Sequence, residues 1–141
     1  IVGALIGGSL VMRFGVMPVL LAGAILVILT NLQFVSIAIL PPDVMMLALV
    51  VAADNLSGGM AGSAFIAYLS GLTNKAYTAT QYALFSSLML LPAKFIGGFS
   101  GEIVDAEGYV FFFIYTALLG VPAILLILYL MKQNGRMMQN N

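Results

Sequence analysis

Two of the ten charged residues in this chain, Asp54 and Lys94, stand where a charge is expensive. Asp54 belongs to AADNLSGGMAGSAF, residues 52–65, within a stretch that starts at Val44 as a purely apolar helix. A carboxylate there can take up and release a proton, and an ammonium can hold an anionic group. Asp54, Ser57, Gly58 and Ala61 follow one another at spacings of three and four, a stripe of small and polar groups along one helix face. Lys94 shares a face with Ser87, Gly97, Gly98 and Gly101, and Pro92 removes a backbone hydrogen bond just before it. An isolated charge inside a membrane costs at least about 3 kcal/mol, so both groups are expected to face a shared interior, a water-filled cavity or each other. The plainer reading makes them a structural pair, with Lys94 reaching toward the interface and the glycines only allowing close packing.

The elements that must position these groups follow from composition. Of 141 residues 62% are hydrophobic and 7% charged, and the mean hydropathy is +1.13. An ordinary soluble domain carries about 25% charged residues, so this is an integral membrane protein. Apolar runs of about 20 residues recur and the alternation of a membrane barrel is absent, which makes the spans helical. With no Cys and no His, the chain lacks disulfides, thiol nucleophiles, imidazole bases and the usual transition-metal ligands. No cofactor, metal or nucleic acid is expected, and enzymatic chemistry is not expected either, because no second carboxylate accompanies Asp54 at depth.

Five spans can be drawn, about 1–12, 16–40, 44–72, 78–101 and 109–131, followed by a tail over 132–141. The last four would be about 34 to 44 Å long, enough to cross a hydrocarbon core of about 30 Å. Arg13, Lys75, Lys132 and Arg136 then fall on one side, and Asp43, Glu102, Asp105 and Glu107 on the other. Basic residues near span ends stay cytoplasmic, which puts the C-terminus in the cytoplasm. On this layout Asp54 lies about 16 Å and Lys94 about 12 Å below the same extracytoplasmic surface.

Small residues four apart occur at Gly3 and Gly7, Gly58 and Gly62, and Gly97 and Gly101, spacing that suits tight helix contact. GGSLVMRFGVMPVLLAG, from Gly7, and GGFSGEIVDAEGYVFFF, from Gly97, share a further design: paired glycines at a span end, a charged turn, a glycine, then a new span. One turn is basic and the other acidic, the pattern of an inverted-topology repeat offset by three helices. The chain thus reads as a fragment that begins inside a helix, the last five helices of a six-helix half.

GGSLVMRFGVMPVLLAG resembles the glycine, arginine, glycine cytoplasmic loop of the major facilitator superfamily, with Met12 where an acidic residue often precedes the arginine. Within it, DNLSGGMAGSAFIAYLSGLTNKAYTATQYALFSSL is similar to the AmpG-type muropeptide permeases. The elements that carry the likeness are Asp54, Asn55, Gly58, Gly59, Asn74, Lys75, Ala79, Thr80, Gln81, Tyr82, Ala83 and Leu84. Related acetyl-coenzyme A transporters share parts of it. The resemblance implies the last five helices of a 12-helix fold built from inverted three-helix repeats, monomeric when complete and embedded in lipid. It also implies a bacterial inner-membrane importer of anhydro-muropeptides, driven by the proton gradient, for peptidoglycan recycling. Such recycling feeds induction of β-lactamase in some bacteria.

On that resemblance Asp54 is the candidate proton carrier: poor hydration favours the neutral acid, a nearby Lys94 favours the carboxylate, and their competition would couple protonation to conformation. Asn55 and Ser57 would donate hydrogen bonds to sugar or peptide oxygens, or Asn55 would only cap a helix break. Alternatively Lys94 attracts the carboxylates of the substrate. Gly58, Gly59, Gly62, Gly97, Gly101, Arg13, Lys75 and Gln81 are assigned to helix packing or gating, with Thr78 or Thr80 capping the next helix. The other half of the same transporter is the expected partner. Competing readings are a transporter of another substrate (acetyl-CoA-like, sugar or peptide), a channel, or a membrane scaffold without transport.

Overall fold

The computed structural model describes residues 1–41, 43–73 and 78–139, except the side chains of Thr78 and of residues 134–139. It is helical throughout: α1 (Val2–Phe14), α2 (Val16–Ile39), α3 (Val44–Leu72), α4 (Thr78–Gly98) and α5 (Ser100–Gln139). Helices α2, α3 and residues 100–133 of α5 are long and apolar enough to cross a membrane, so among the described residues three of the five predicted spans meet that measure. α1 has only 13 residues. α4 has the length, but Gln81, Ser86, Ser87, Pro92 and Lys94 lower its hydropathy.

Single residues decide where the helices stop. α1 gives way to α2 at Gly15, whose φ of 85° and ψ of 167° belong to a region that side-chain-bearing L-residues rarely adopt. Its N–H still closes the last turn of α1 on the Val11 carbonyl at 2.9 Å. Pro18 then falls in the first turn of α2, where its missing N–H costs nothing. α2 ends because Leu40 precedes Pro41, which disfavours the helical conformation; Leu40 is extended at φ −80° and ψ 160°. Asp43 starts α3 as its N-cap, its Oδ1 accepting from the backbone N–H of Met45 at 2.8 Å and of Met46 at 3.4 Å. The predicted acidic connection over 102–108 is largely helical: Phe99 makes the turn, α5 starts at Ser100, and Gly108 kinks it with φ 82° and ψ 171°. Glu102 sits in the first turn of α5, at the positive end of the helix, where an acidic side chain favours its formation. At its other end α5 runs to Gln139, through most of the predicted tail.

α2 lies between α3 and α5, α1 packs on α3, and α4 touches α3 and α5 only lightly. The core is small: Val19 and Leu20 of α2, Met60 and Ala64 of α3, and Ile127 of α5. Most large apolar side chains point outward instead, Leu88, Phe95, Leu118 and Leu125 among them. Apolar surroundings on both sides leave little hydrophobic drive to associate, so fit and hydrogen bonding hold such helices together.

The fit rests on backbone contact. A Cβ on Gly3 would run into the Leu56 carbonyl, and one on Gly7 would meet the Ser63 hydroxyl and, at 2.8 Å, Met60 Cα. From the α3 side, Gly59 is the glycine that faces this contact, where a Cβ would lie 3.0 Å from Ala4 N. Gly23 of α2 stands against Ala61 in the same way, since a Cβ on it would come within 2.8 Å of Ala61 Cα. Gly58, Gly62, Gly97 and Gly101, also expected to pack helices, have open space around them among the described residues. Spacing alone did not reveal which face of α3 meets α1.

Gly7→Ala should therefore lower stability by about 1–3 kcal/mol through overpacking. Gly58→Ala, in open space within a helix, should be neutral or stabilising by up to about 1 kcal/mol. Thermal unfolding of the two variants in detergent micelles would show it, and equal midpoints would count against the contact.

Candidate functional site

Asp54 sits in the middle of α3, a helix without interruption from Val44 to Leu72. It is half-buried, and its partner comes from α2: the buried Thr30 Oγ1 donates to Asp54 Oδ1 at 3.0 Å. The same hydroxyl lies 2.9 Å from the Val27 carbonyl of its own helix. That carbonyl also accepts from Asn31 Nδ2 at 2.9 Å. Asn31 Oδ1 in turn accepts from Thr116 Oγ1 of α5 at 3.0 Å, and Thr116 is 3.0 Å from the Phe113 carbonyl. A polar chain thus crosses three helices, from Asp54 through Thr30, Val27 and Asn31 to Thr116. Among the described residues no buried side-chain nitrogen or oxygen is left without a partner, as an apolar surrounding demands.

The network is possible because Thr30 and Asn31 are adjacent on α2 and so project to different neighbours, Thr30 toward α3 and Asn31 toward α5. Phe34, one turn beyond Thr30, stacks on Phe113 with centroids 4.9 Å apart, which fixes α5 against α2. On the other side of Thr30 a cavity of about 250 Å³ opens between α1, α2 and α3, lined by Gly3, Leu26, Thr30, Gln33 and Ser57 among others.

The remaining predicted residues are more scattered. Among the described residues no ion pair joins Lys94 to Asp54; Lys94 is exposed on α4. Ser57 is buried and spends its hydroxyl on the carbonyls of Ala53 and Asp54, each at 2.9 Å. Asn55 is exposed and donates to the Val51 carbonyl at 2.8 Å, and since α3 is unbroken it caps no helix break. Arg13 is exposed in the last turn of α1, its guanidinium 5.3 Å from the centre of the Phe14 ring, a cation at the negative end of a helix. Gln81 is half-buried in the first turns of α4. Asn74 and Lys75, together with the Thr78 side chain proposed as a cap, lie outside the described residues. Thr30, Asn31 and Thr116 escaped the sequence reading because it followed charges. The Thr-Asn pair in the otherwise apolar run of α2 was the available signal.

A half-buried carboxylate clasped by a hydroxyl, inside helices that cross a membrane, belongs to a multi-pass membrane protein. Comparison with known proteins finds its relatives among proteins named as transporters and permeases. The chain is 36% identical over 128 residues to the anhydromuropeptide permease of Escherichia coli K12, covering 91% of this chain and 26% of that protein. It is 32% identical over 130 residues to AmpG 4 of Rickettsia conorii, covering 92% of the chain and 31% of that protein, and 31% identical over 128 residues to AmpG 1 of Rickettsia bellii. Over nine tenths of its length the chain is a homologue of the AmpG and anhydromuropeptide permeases, proteins named as transporters and permeases, not as enzymes. It spans only about a quarter to a third of the length of these relatives. No family model and no solved structure matches it.

The bond between Asn31 and Thr116 should couple α2 to α5. A double-mutant cycle with Asn31→Leu and Thr116→Val, read from unfolding in mixed micelles, should give a coupling of about 0.6 kcal/mol; strictly additive effects would show that the bond contributes nothing.

Proposed function

We propose that the chain forms the last five helices of a 12-helix major facilitator protein, a proton-coupled importer of anhydro-muropeptides in the bacterial inner membrane. The C-terminus is cytoplasmic, and the other half of the same polypeptide completes the substrate path. The observation that carries this reading is Asp54, a half-buried carboxylate held by Thr30 inside a membrane helix, in a chain homologous to a protein named as an anhydromuropeptide permease. Ionisable groups at such depth serve proton and substrate pathways as a rule.

Two further features support it. Gly15 and Gly108 adopt nearly the same conformation, φ 85° with ψ 167° and φ 82° with ψ 171°. They are the turn glycines of the two similar segments, one basic and one acidic, as an inverted repeat requires. Lys94, exposed and unpaired with Asp54, suits the second role set out for it: drawing the carboxylates of an anionic substrate toward the path. Asp54 then carries the proton, and the two charges act on different passengers.

Uptake of labelled anhydro-muropeptide by cells carrying the complete transporter tests the assignment, with and without a protonophore. Wild type should accumulate substrate only while the gradient is intact, and Asp54→Asn, made in equal amounts, should not accumulate it. Normal accumulation by Asp54→Asn would move the coupling site elsewhere, and absence of muropeptide transport in wild type would overturn the substrate. In the same assay Lys94→Gln should raise KM several-fold while retaining dependence on the gradient.

A further inference from the structure

We propose that Thr30 is the positioning residue that answers the protonation of Asp54, its hydroxyl turning from the carboxylate to the Val27 carbonyl when Asp54 becomes a neutral acid. This rests on Asp54 being the proton carrier. The argument is one of hydrogen count. Thr30 Oγ1 has one hydrogen and two acceptors in reach, Asp54 Oδ1 at 3.0 Å and the Val27 carbonyl at 2.9 Å, and a hydroxyl can donate to one of them at a time.

Each protonation state selects one arrangement. With Asp54 ionised, the carboxylate has no hydrogen to give, so Thr30 donates to Oδ1. Val27 then keeps the side-chain bond from Asn31 at 2.9 Å. When a proton binds Oδ1, Asp54 donates to Thr30 Oγ1, and the Thr30 hydrogen turns to Val27. Both arrangements leave the buried groups paired, so neither is trapped by an unsatisfied atom. The protonation of Asp54 is thereby written into the bonding of an α2 carbonyl that already supports Asn31 and, through it, Thr116 of α5.

The surroundings leave this task to Thr30. α2 has no titratable side chain, and α1 has Arg13 only in its last turn, exposed. Asp43 caps the far end of α3, which further along carries Tyr68; α4 holds Tyr82 and exposed Lys94. α5 carries Glu102, Asp105, Glu107 and Tyr109 toward its start, Tyr115 beyond them, and Tyr129 and Lys132 toward its end. Among the hydrogen bonds of the described residues, the Asp54 carboxylate is met by Thr30. Beside Thr30 lies the cavity of about 250 Å³ between α1, α2 and α3, walled mainly by apolar side chains such as Ile6, Leu29 and Met60.

Infrared difference spectroscopy of the complete transporter in lipid vesicles, recorded across a pH change without substrate, tests the inference. A carboxylic-acid band that disappears in Asp54→Asn belongs to Asp54. In Thr30→Val, which keeps the shape and removes the hydroxyl, that band should move to higher wavenumber, and Thr30→Ser should restore it. A band that stays in place in Thr30→Val overturns the role of Thr30 while leaving Asp54 as carrier. If no band depends on Asp54, both fail. Because no substrate is needed, an error in the substrate assignment leaves the test intact.

Discussion

A carboxylate in the middle of an apolar helix persists only if a neighbouring helix supplies a donor, and that requirement organises this bundle around α2. Thr30 turns one side of α2 to Asp54, and Asn31 turns the other to Thr116. Helix α2 is thus the middle element both in space and in hydrogen bonding. Replacing its polar pair by leucines would strand a carboxylate on α3 where water is scarce and leave the Thr116 hydroxyl of α5 only the Phe113 carbonyl of its own helix. Hydrophobic burial cannot take over this role, because the outward faces of these helices are as apolar as the inward ones.

Reach imposes the second constraint. A hydrogen bond of 3.0 Å between a threonine and an aspartate on separate helices requires the backbones to come close. Gly23 against Ala61 brings α2 to α3 two turns from Thr30, and Gly3, Gly7 and Gly59 bring α1 to α3 alongside. The small residues and the polar residues are therefore parts of one arrangement: glycines set the distance that the hydroxyl and the carboxylate then use. Ser57, one turn after Asp54, keeps its hydroxyl within α3, and so keeps the bulk near Asp54 small without competing for Thr30.

Much of the fold was legible in the sequence because apolar runs and turn residues act locally. Gly15, Pro41 after Leu40, Asp43 and Gly108 mark helix ends by their own backbone chemistry, with no reference to the rest of the chain. Asp54 was legible for a similar reason: a lone carboxylate in an apolar run is conspicuous. Its partner was not, since neutral hydroxyls and amides occur in membrane helices for many reasons and the bond to Thr30 joins residues 24 apart. The face of α3 that meets α1 was equally hidden, because Gly58, Gly59 and Gly62 look alike in sequence and only rotation about the helix axis tells them apart. The acidic run over 102–107, drawn as a connection because charge is a loop signal, is helical up to the break at Gly108, and Glu102 in the first turn favours that helix.

The one-residue links at Gly15 and Gly108 have a mechanical consequence. A joint of this kind has two soft torsions and no slack, and both glycines hold a backbone conformation that a side chain would obstruct. The helices on either side therefore meet end to end, and the angle between them is set at a single residue. Two such elbows, one next to a basic helix end and one next to an acidic run, change the direction of the chain within one residue each, where a longer loop would leave the angle open.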